Sequence, residues 1–331
     1  MKKTLAALAV LGAFSGAALA QSSVEIYGIA DGGLEVVDSG VSGVKTFTGV
    51  SSGQQSGSRF GFKGAEKLGN GLTAKFVLEN GFNVDDGKLG QGNRLFGRQA
   101  WLGLEGGYGI VALGRLASIA SGTGSFDMMG AMDPFSTGFK DAGTQATFAL
   151  TSYRTDNSVV YQSPKFAGFQ FGAMYSFQAD GSEVADADLN SRFWAAAANY
   201  GVGKLWAGLS YEQLDTAKAK NAAGQVTFDP KATQVVKFGI NYDFGFVKPM
   251  FAYSYGKDVR ELNSSANKIT FASATGIYGA DMSSYMIGAT APLFGGTLMA
   301  SYQLLDAEMS HNSSVKFARD VFSAGYDYPF S

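Results

Sequence analysis

Phe169, Phe171, Ala173, Tyr175 and Phe177 alternate one by one with Gln170, Gly172, Met174, Ser176 and Gln178. Successive side chains of a strand face opposite sides, so this stretch has one apolar face and one mostly polar face. Leu205, Ala207, Leu209 and Tyr211 repeat the pattern against Gly208, Ser210 and Glu212. Leu72, Ala74, Phe76 and Leu78 do so against Thr73, Lys75 and Glu79, and Leu298, Ala300, Tyr302 and Leu304 against Thr297, Ser301 and Gln303. About fourteen such strands follow one another, the first over 24–36 and the last over 318–329, each about ten residues long.

The connections alternate as regularly as the strands. Short ones fall at 67–71, 105–109, 163–168, 200–204, 243–246 and 293–296. Long ones fall between them, at 38–56, 83–93, 117–155, 179–190, 215–232, 258–282 and 307–317. That is an up-and-down meander with tight turns at one end and long loops at the other, the asymmetry of outer-membrane β-barrels. Tyr27, Tyr108, Phe166, Tyr200, Tyr242, Phe244, Phe246, Phe294, Tyr326 and Tyr328 gather near strand ends, many at the short turns. Amphipathic rings prefer a membrane interface.

Composition narrows the function. The 331 residues contain 45 Gly, 6 Pro, 26 Phe and 15 Tyr, which suits strands and tight turns. No Cys is present and His311 is the one histidine, so disulfides, thiolate chemistry and His-based metal clusters are excluded. No internal run of eighteen apolar residues exists, which argues against membrane helices. Residues 1–20 read as a secretory signal peptide: Lys2 and Lys3, an apolar stretch over 5–19, and the small-residue site Ala18-Leu19-Ala20 before Gln21. Its removal leaves 24 Lys+Arg against 28 Asp+Glu. This balance offers no basic excess for nucleic acid. Ser310-His311 is no catalytic motif, since a nucleophile needs a positioned base with an orienting partner. The Asp-bearing loops contain oxygen ligands for Ca²⁺ without a specific spacing. No cofactor is expected.

The chain also resembles a known family. Val24-Glu25-Ile26-Tyr27-Gly28 followed by Asp31 resembles the opening strand of the general porins of Gram-negative bacteria, in the betaproteobacterial and neisserial group. Ser58-Arg59-Phe60-Gly61-Phe62-Lys63-Gly64 with Leu68-Gly69-Asn70-Gly71-Leu72 is similar to their second strand and turn. Leu95-Phe96-Gly97-Arg98-Gln99-Ala100 and Leu113-Gly114-Arg115 resemble the strands before the constriction loop, and Arg154-Thr155-Asp156-Asn157-Ser158 with Tyr161-Gln162-Ser163-Pro164 the strand after it. The resemblance implies an all-β, transmembrane, antiparallel up-and-down β-barrel of sixteen strands, with residues 21–331 forming that barrel. It further implies a homotrimer among outer-membrane lipid and lipopolysaccharide, and passive diffusion of small hydrophilic solutes and ions. The family continues for two strands past the position of Tyr328-Pro329-Phe330-Ser331, so the barrel is read as C-terminally incomplete. Two rival readings are a substrate-selective outer-membrane channel and a non-conducting adhesive or structural barrel.

The long segment 117–155 has no clean periodicity, which a compact domain tolerates only in a functional loop. It is expected to fold into the lumen and narrow it. Arg59 shares a strand face with Gly61 and Lys63, opposite Phe60 and Phe62, and so points inward. A charge facing lipid at mid-depth costs roughly 2–4 kcal/mol, which favours that choice. Arg154 alternates with Tyr153, in phase with Asp156, Ser158 and Gln162. Arg98 is in phase with Leu102 and Leu104, so either a bulge or a subunit contact intervenes. The resemblance gathers Arg59, Arg98 and Arg154 on the pore-constriction wall, where a basic cluster favours anions. Facing them, the loop supplies Asp127, Asp133 and Asp141, with Lys140. Lys63, Asp31 and Arg115 are secondary lumen candidates, Arg115 ranking lower because its phase matches Val111 and Leu113.

Overall fold

A computed structural model of the chain describes residues 23–40, 42–136, 138–263, 268–273, 276–277 and 279–330. The segment read as a signal peptide lies outside the described residues.

One antiparallel sheet of fourteen strands makes the wall, and every strand in it pairs with its neighbours in chain order. The strands are β1 (Ser23–Ile29), β2 (Arg59–Gly69), β3 (Leu72–Gly81), β4 (Gln99–Gly106), β5 (Gly109–Ala117), β6 (Arg154–Gln162) and β7 (Phe169–Ser176). They continue as β8 (Arg192–Val202), β9 (Leu205–Asp215), β10 (Thr233–Tyr242), β11 (Lys248–Val259), β12 (Ala280–Leu293), β13 (Gly296–Met309) and β14 (Asn312–Asp327). Among the described residues β1 and β14 are not paired with each other. No helix among them is long and apolar enough to cross a membrane.

The alternation read from the sequence sets the two faces of this wall. Leu209, Phe171 and Leu304 stand exposed on the outside, while Glu212, Gly172 and Gln303 face inward and are covered by the 118–153 loop. At the short-turn end the rings touch one another. Phe169 lies 4.6 Å from Tyr200, and Tyr242 lies 4.7 Å from Phe244. Tyr27 departs from that belt: it turns inward and its hydroxyl donates to Glu79 at 2.9 Å. The tight turn between β2 and β3 is built on Asn70 and Gly71 at φ 50° and 77°. Two left-handed residues match the twist of the flanking strands, and only Gly and Asn enter that region at small cost.

Two expectations about element boundaries are corrected. The first strand does not run through 24–36: it breaks after Ile29, and Gly32–Val37 pairs instead with Phe47–Ser52 in a separate hairpin. The cause is Asp31, whose carboxylate accepts the backbone N–H groups of Gln54, Gln55 and Ser56 and folds the chain back on itself. The expected long loop 307–317 is a two-residue turn, Ser310–His311, between β13 and β14. Polar residues there read as loop because the strands continue past the apolar band, with Glu308 paired opposite Lys316. The long connections at 215–232 and 258–282 contain hairpins of their own, such as Glu261–Asn263 with Lys268–Thr270.

Candidate functional site

Residues 118–153 leave β5, fold against the inner wall and return at β6. Short 3₁₀ turns punctuate the segment at Gly130–Met132, Lys140–Ala142 and Thr144–Ala146. Such a path strands backbone carbonyls that no ladder satisfies, and a buried carbonyl left unpaired costs about 1–3 kcal/mol. The wall answers with one inward polar side chain after another. Gln162 of β6 donates to Phe126 O and Asn199 of β8 to Met128 O, both at 3.1 Å. Asn241 of β10 donates to Ala131 O at 2.7 Å, and Ser284 of β12 to Thr147 O at 2.7 Å. Gln303 of β13 reaches Ala142 O and Gly143 O, and Arg319 of β14 reaches Ala146 O.

Glycines make room for the same path. A Cβ on Gly172 would sit 2.6 Å from Met128 Sδ, one on Gly208 2.9 Å from Met129 Sδ, and one on Gly288 2.8 Å from Pro134 Cγ. Gly239 lies under Met132 in the same way. The inward face of β7, β9, β10 and β12 is therefore a track of notches that receives the loop's apolar residues. Beneath it, Lys237 Nζ lies 2.7 Å from Glu212 Oε2 with both side chains buried, and donates to Ala120 O at 3.0 Å. Glu212 also accepts from Ser118.

The loop touches β4 as well, where Trp101 packs on Phe126 and Gln99 accepts from Ser125, and it leaves space beside Arg59 of β2 and Arg154 of β6. There lies a cavity of about 570 Å³, whose lining includes Arg59, Arg98, Arg154 and Lys140. The three arginines singled out in the sequence thus share one space. Arg98 escapes the phase of Leu102 and Leu104 because it sits in a bend just before β4, whose first residue is Gln99. Its Nε lies 2.7 Å from Glu79 Oε1, and both side chains are buried. Its guanidinium lies over Gly57, where a Cβ would meet Nη1 at 2.8 Å. Arg59 donates to Ser56 Oγ. Arg154 donates to Arg98 O at 3.1 Å and to Ser152 O at 3.2 Å. Among the described residues neither Arg59 nor Arg154 forms a salt bridge, whereas Arg98 and Lys140 each do.

The loop acids are placed differently from the expectation, since none of Asp127, Asp133 and Asp141 lines the cavity. Asp127 accepts the N–H groups of Gly122, Met129 and Gly130, and Asp133 those of Phe135 and Thr144. Short carboxylates followed by small or turn-forming residues fold the local backbone around themselves before they face anything else. Burial pushes the Asp127 carboxyl above its ordinary range in spite of its three donors. Asp141 lies 3.9 Å from Arg319 of β14. The acid that does line the cavity is Asp327.

The secondary candidates also divide. Lys63 shares the inward face of Arg59, pairs with Glu25 at 3.0 Å and stands over the Tyr27 ring, away from the cavity lining. Asp31 is used up by the 54–56 backbone, as described. Arg115 does not line the cavity: it donates to Gly97 O at 2.7 Å and binds Asp156 at 2.6 Å, where Arg94 joins it at 2.7 Å. Asp156 leaves the phase of Arg154 because Asn157, at φ 47°, interrupts the regular strand and the β5–β6 register shifts there. The bond to Asp156 raises the Arg94 guanidinium above its ordinary value. Glu79, Glu35, Lys237 and Arg319 were not singled out in the sequence. The partner of each is distant in the chain. No group of three or more His, Asp or Glu residues suited to a metal occurs among the described residues.

A membrane-facing meander with a loop pinned inside it beside a basic cluster defines a channel of the outer-membrane type. The chain belongs to the Gram-negative porin family, whose model matches residues 6–331. It is 37% identical over 364 residues to an outer membrane porin protein of Bordetella pertussis, covering 100% of this chain and 91% of that one. It is 33% identical over 310 residues to outer membrane porin protein 32 of Delftia acidovorans, covering 92% and 80%. Among solved structures, the anion-selective porin from Comamonas acidovorans superposes with a TM-score of 0.70 at 26% identity, over 94% of this chain and 85% of that one. The chain is an outer-membrane porin, and the β-barrel fold expected for it is that of its structural relatives.

Proposed function

We propose that this porin prefers anions, and that Arg59 and Arg154, with Arg98 as their support, select them where residues 117–155 narrow the pore. One observation carries the reading: two of the three guanidiniums in the cavity, those of Arg59 and Arg154, form no salt bridge with a carboxylate among the described residues. A pair of uncompensated cations in a narrow aqueous passage lowers the energy of an anion there and raises that of a cation. Arg98 is held neutral in sum by Glu79 and serves to place Arg154 through its carbonyl. The likeness to a porin described as anion-selective supports the same sign.

The channel works as a homotrimer in outer-membrane lipid and lipopolysaccharide. The outer face of β4 and β5 supports this, since Leu102, Leu104, Val111 and Leu113 stand exposed there as an aliphatic patch. Patches of that kind mark protein or lipid contacts.

Planar-bilayer recording of the refolded chain across a KCl gradient tests the selectivity. Conductance steps whose reversal potential favours chloride are expected. Steps favouring potassium would remove the arginines as the selecting element, and a correctly folded but silent protein would leave a non-conducting barrel.

A further inference from the structure

The cavity that holds the arginines is not polar all round. Phe139 lines it, half-buried, and Phe135 lies behind Phe139 with ring centroids 5.6 Å apart at an interplanar angle of 73°. Phe135 in turn rests on β14, where a Cβ at Gly325 would meet its ring at 3.2 Å, and Met299 of β13 lines the same wall. The aromatic pair is thus backed by β13 and β14, while the guanidiniums come from the β2–β6 side.

Phe139 reaches this position at a backbone cost. It sits in the left-handed region at φ 56°, followed by Lys140 at φ 51° and preceded by Ser136 at φ 49°. A bulky residue seldom adopts that conformation, and where one does the surroundings enforce it. Here they do: Phe139 N–H donates to Gln55 O at 3.0 Å, its own carbonyl accepts from Ala142 N–H at 3.0 Å, and Lys140 binds Glu35 at 2.5 Å. A ring that served only to pack the loop would be buried like Phe135, which is 2% exposed. Phe139 instead remains in contact with the aqueous space beside the cations.

We propose that the constriction favours, among organic anions, carboxylates carried on an aromatic ring, with Phe139 as the residue that determines this preference. The inference rests on the anion-selective reading above and refines it. The carboxylate of such a solute meets the planar donors of Arg59 and Arg154, which suit it better than they suit a spherical ion. Its ring meets Phe139 in the offset or edge-on arrangement that aromatic pairs prefer. The cavity volume falls in the range of small-molecule sites.

The test compares benzoate with cyclohexanecarboxylate, which has the same charge and carbon count but no π-face. Permeability ratios come from reversal potentials of the reconstituted full chain in gradients of the two sodium salts, with KCl alone as reference. The wild type should pass benzoate preferentially by about two- to tenfold, the factor one aromatic contact supplies. Phe139→Ala should bring the ratio near one, and Phe139→Tyr, which keeps the ring, should restore it. A wild-type ratio near one, or a ratio that Phe139→Ala leaves intact, overturns the proposal while chloride preference in KCl keeps the anion-selective reading. Chloride preference lost in the wild type overturns that reading instead. If no steps appear, titration calorimetry of the micelle-folded protein decides. Benzoate heat lost in Phe139→Ala and kept in Phe139→Tyr supports the site, and no benzoate heat overturns it.

Discussion

Arg98 Nε lies 2.7 Å from Glu79 Oε1 in a setting where both side chains are buried, and the carbonyl of that same Arg98 accepts Arg154 Nε. One arginine is thereby neutralised and made a support, while the arginine it holds has no carboxylate partner among the described residues. Glu79 also accepts from Tyr27 of β1, so β1 and the bend before β4 are both tied to one carboxylate of β3.

Truncating one partner of such a pair leaves the other charge buried, a loss of about 3–5 kcal/mol. Glu79→Ala should therefore lower the denaturant midpoint of the micelle-folded protein markedly. The double variant Glu79→Ala, Arg98→Ala should lose less than the two single changes added together. Heat-modifiable gel mobility and urea titration read both quantities, and strict additivity would deny the coupling.

Arg154→Ala removes an uncompensated cation from the cavity. A unit charge at about 4 Å contributes about 1 kcal/mol even in bulk water. The chloride-to-potassium permeability ratio should fall about fivefold, and Arg59→Glu combined with Arg154→Glu should invert the preference. Reversal potentials in a KCl gradient check this. A ratio indifferent to both changes would place selectivity elsewhere in the lumen.

Gly239 lies under Met132, so any side chain there must displace the loop. Overpacking of this kind typically costs about 1–3 kcal/mol. Gly239→Val should leave the fourteen strands intact by circular dichroism yet alter single-channel conductance. By contrast, Gly107, in the turn between β4 and β5 where a Cβ meets nothing, should accept Ala without changing conductance. Equal behaviour of the two variants would refute the notch account.

Lys140, together with Ser51, draws the Glu35 carboxyl below its ordinary value. A depressed carboxyl contributes its stabilisation above the unfolded value of about 4.3 and loses it as pH falls through the lower, folded value. The tie between the loop tip and the Gly32–Val37 hairpin should accordingly survive at neutral pH and fail only below about pH 4. Glu35→Gln should break it at pH 7, free the Lys140 ammonium beside the cavity and raise anion preference. Recordings of wild type and variant from pH 7 to pH 3 would expose the reverse order if it held.

Much of the wall was legible because alternation at period two reports a strand directly, and the short turns and long loops sort by end. Each of the fourteen stretches read from the pattern has its counterpart in the sheet. The failures sit where pattern stops being local. At 307–317 polar residues on extended strands resemble a loop. At Asp31 and Asp127 a single carboxylate bends the backbone around itself, and at Asn157 one left-handed residue takes Asp156 out of the phase of Arg154.

From its sequence alone the chain is a membrane-facing antiparallel meander with a long loop after its fifth strand and arginines in inward phase, because strand geometry turns residue order into two faces. Only the tertiary structure decides where that loop rests, since its seat depends on Gly172, Gly208, Gly239 and Gly288 lining up across strands far apart in the chain. It also decides which arginines meet a carboxylate. Whether Glu79 reaches Arg98 or Arg154 is a matter of ångströms between strands, and no spacing along the chain encodes it.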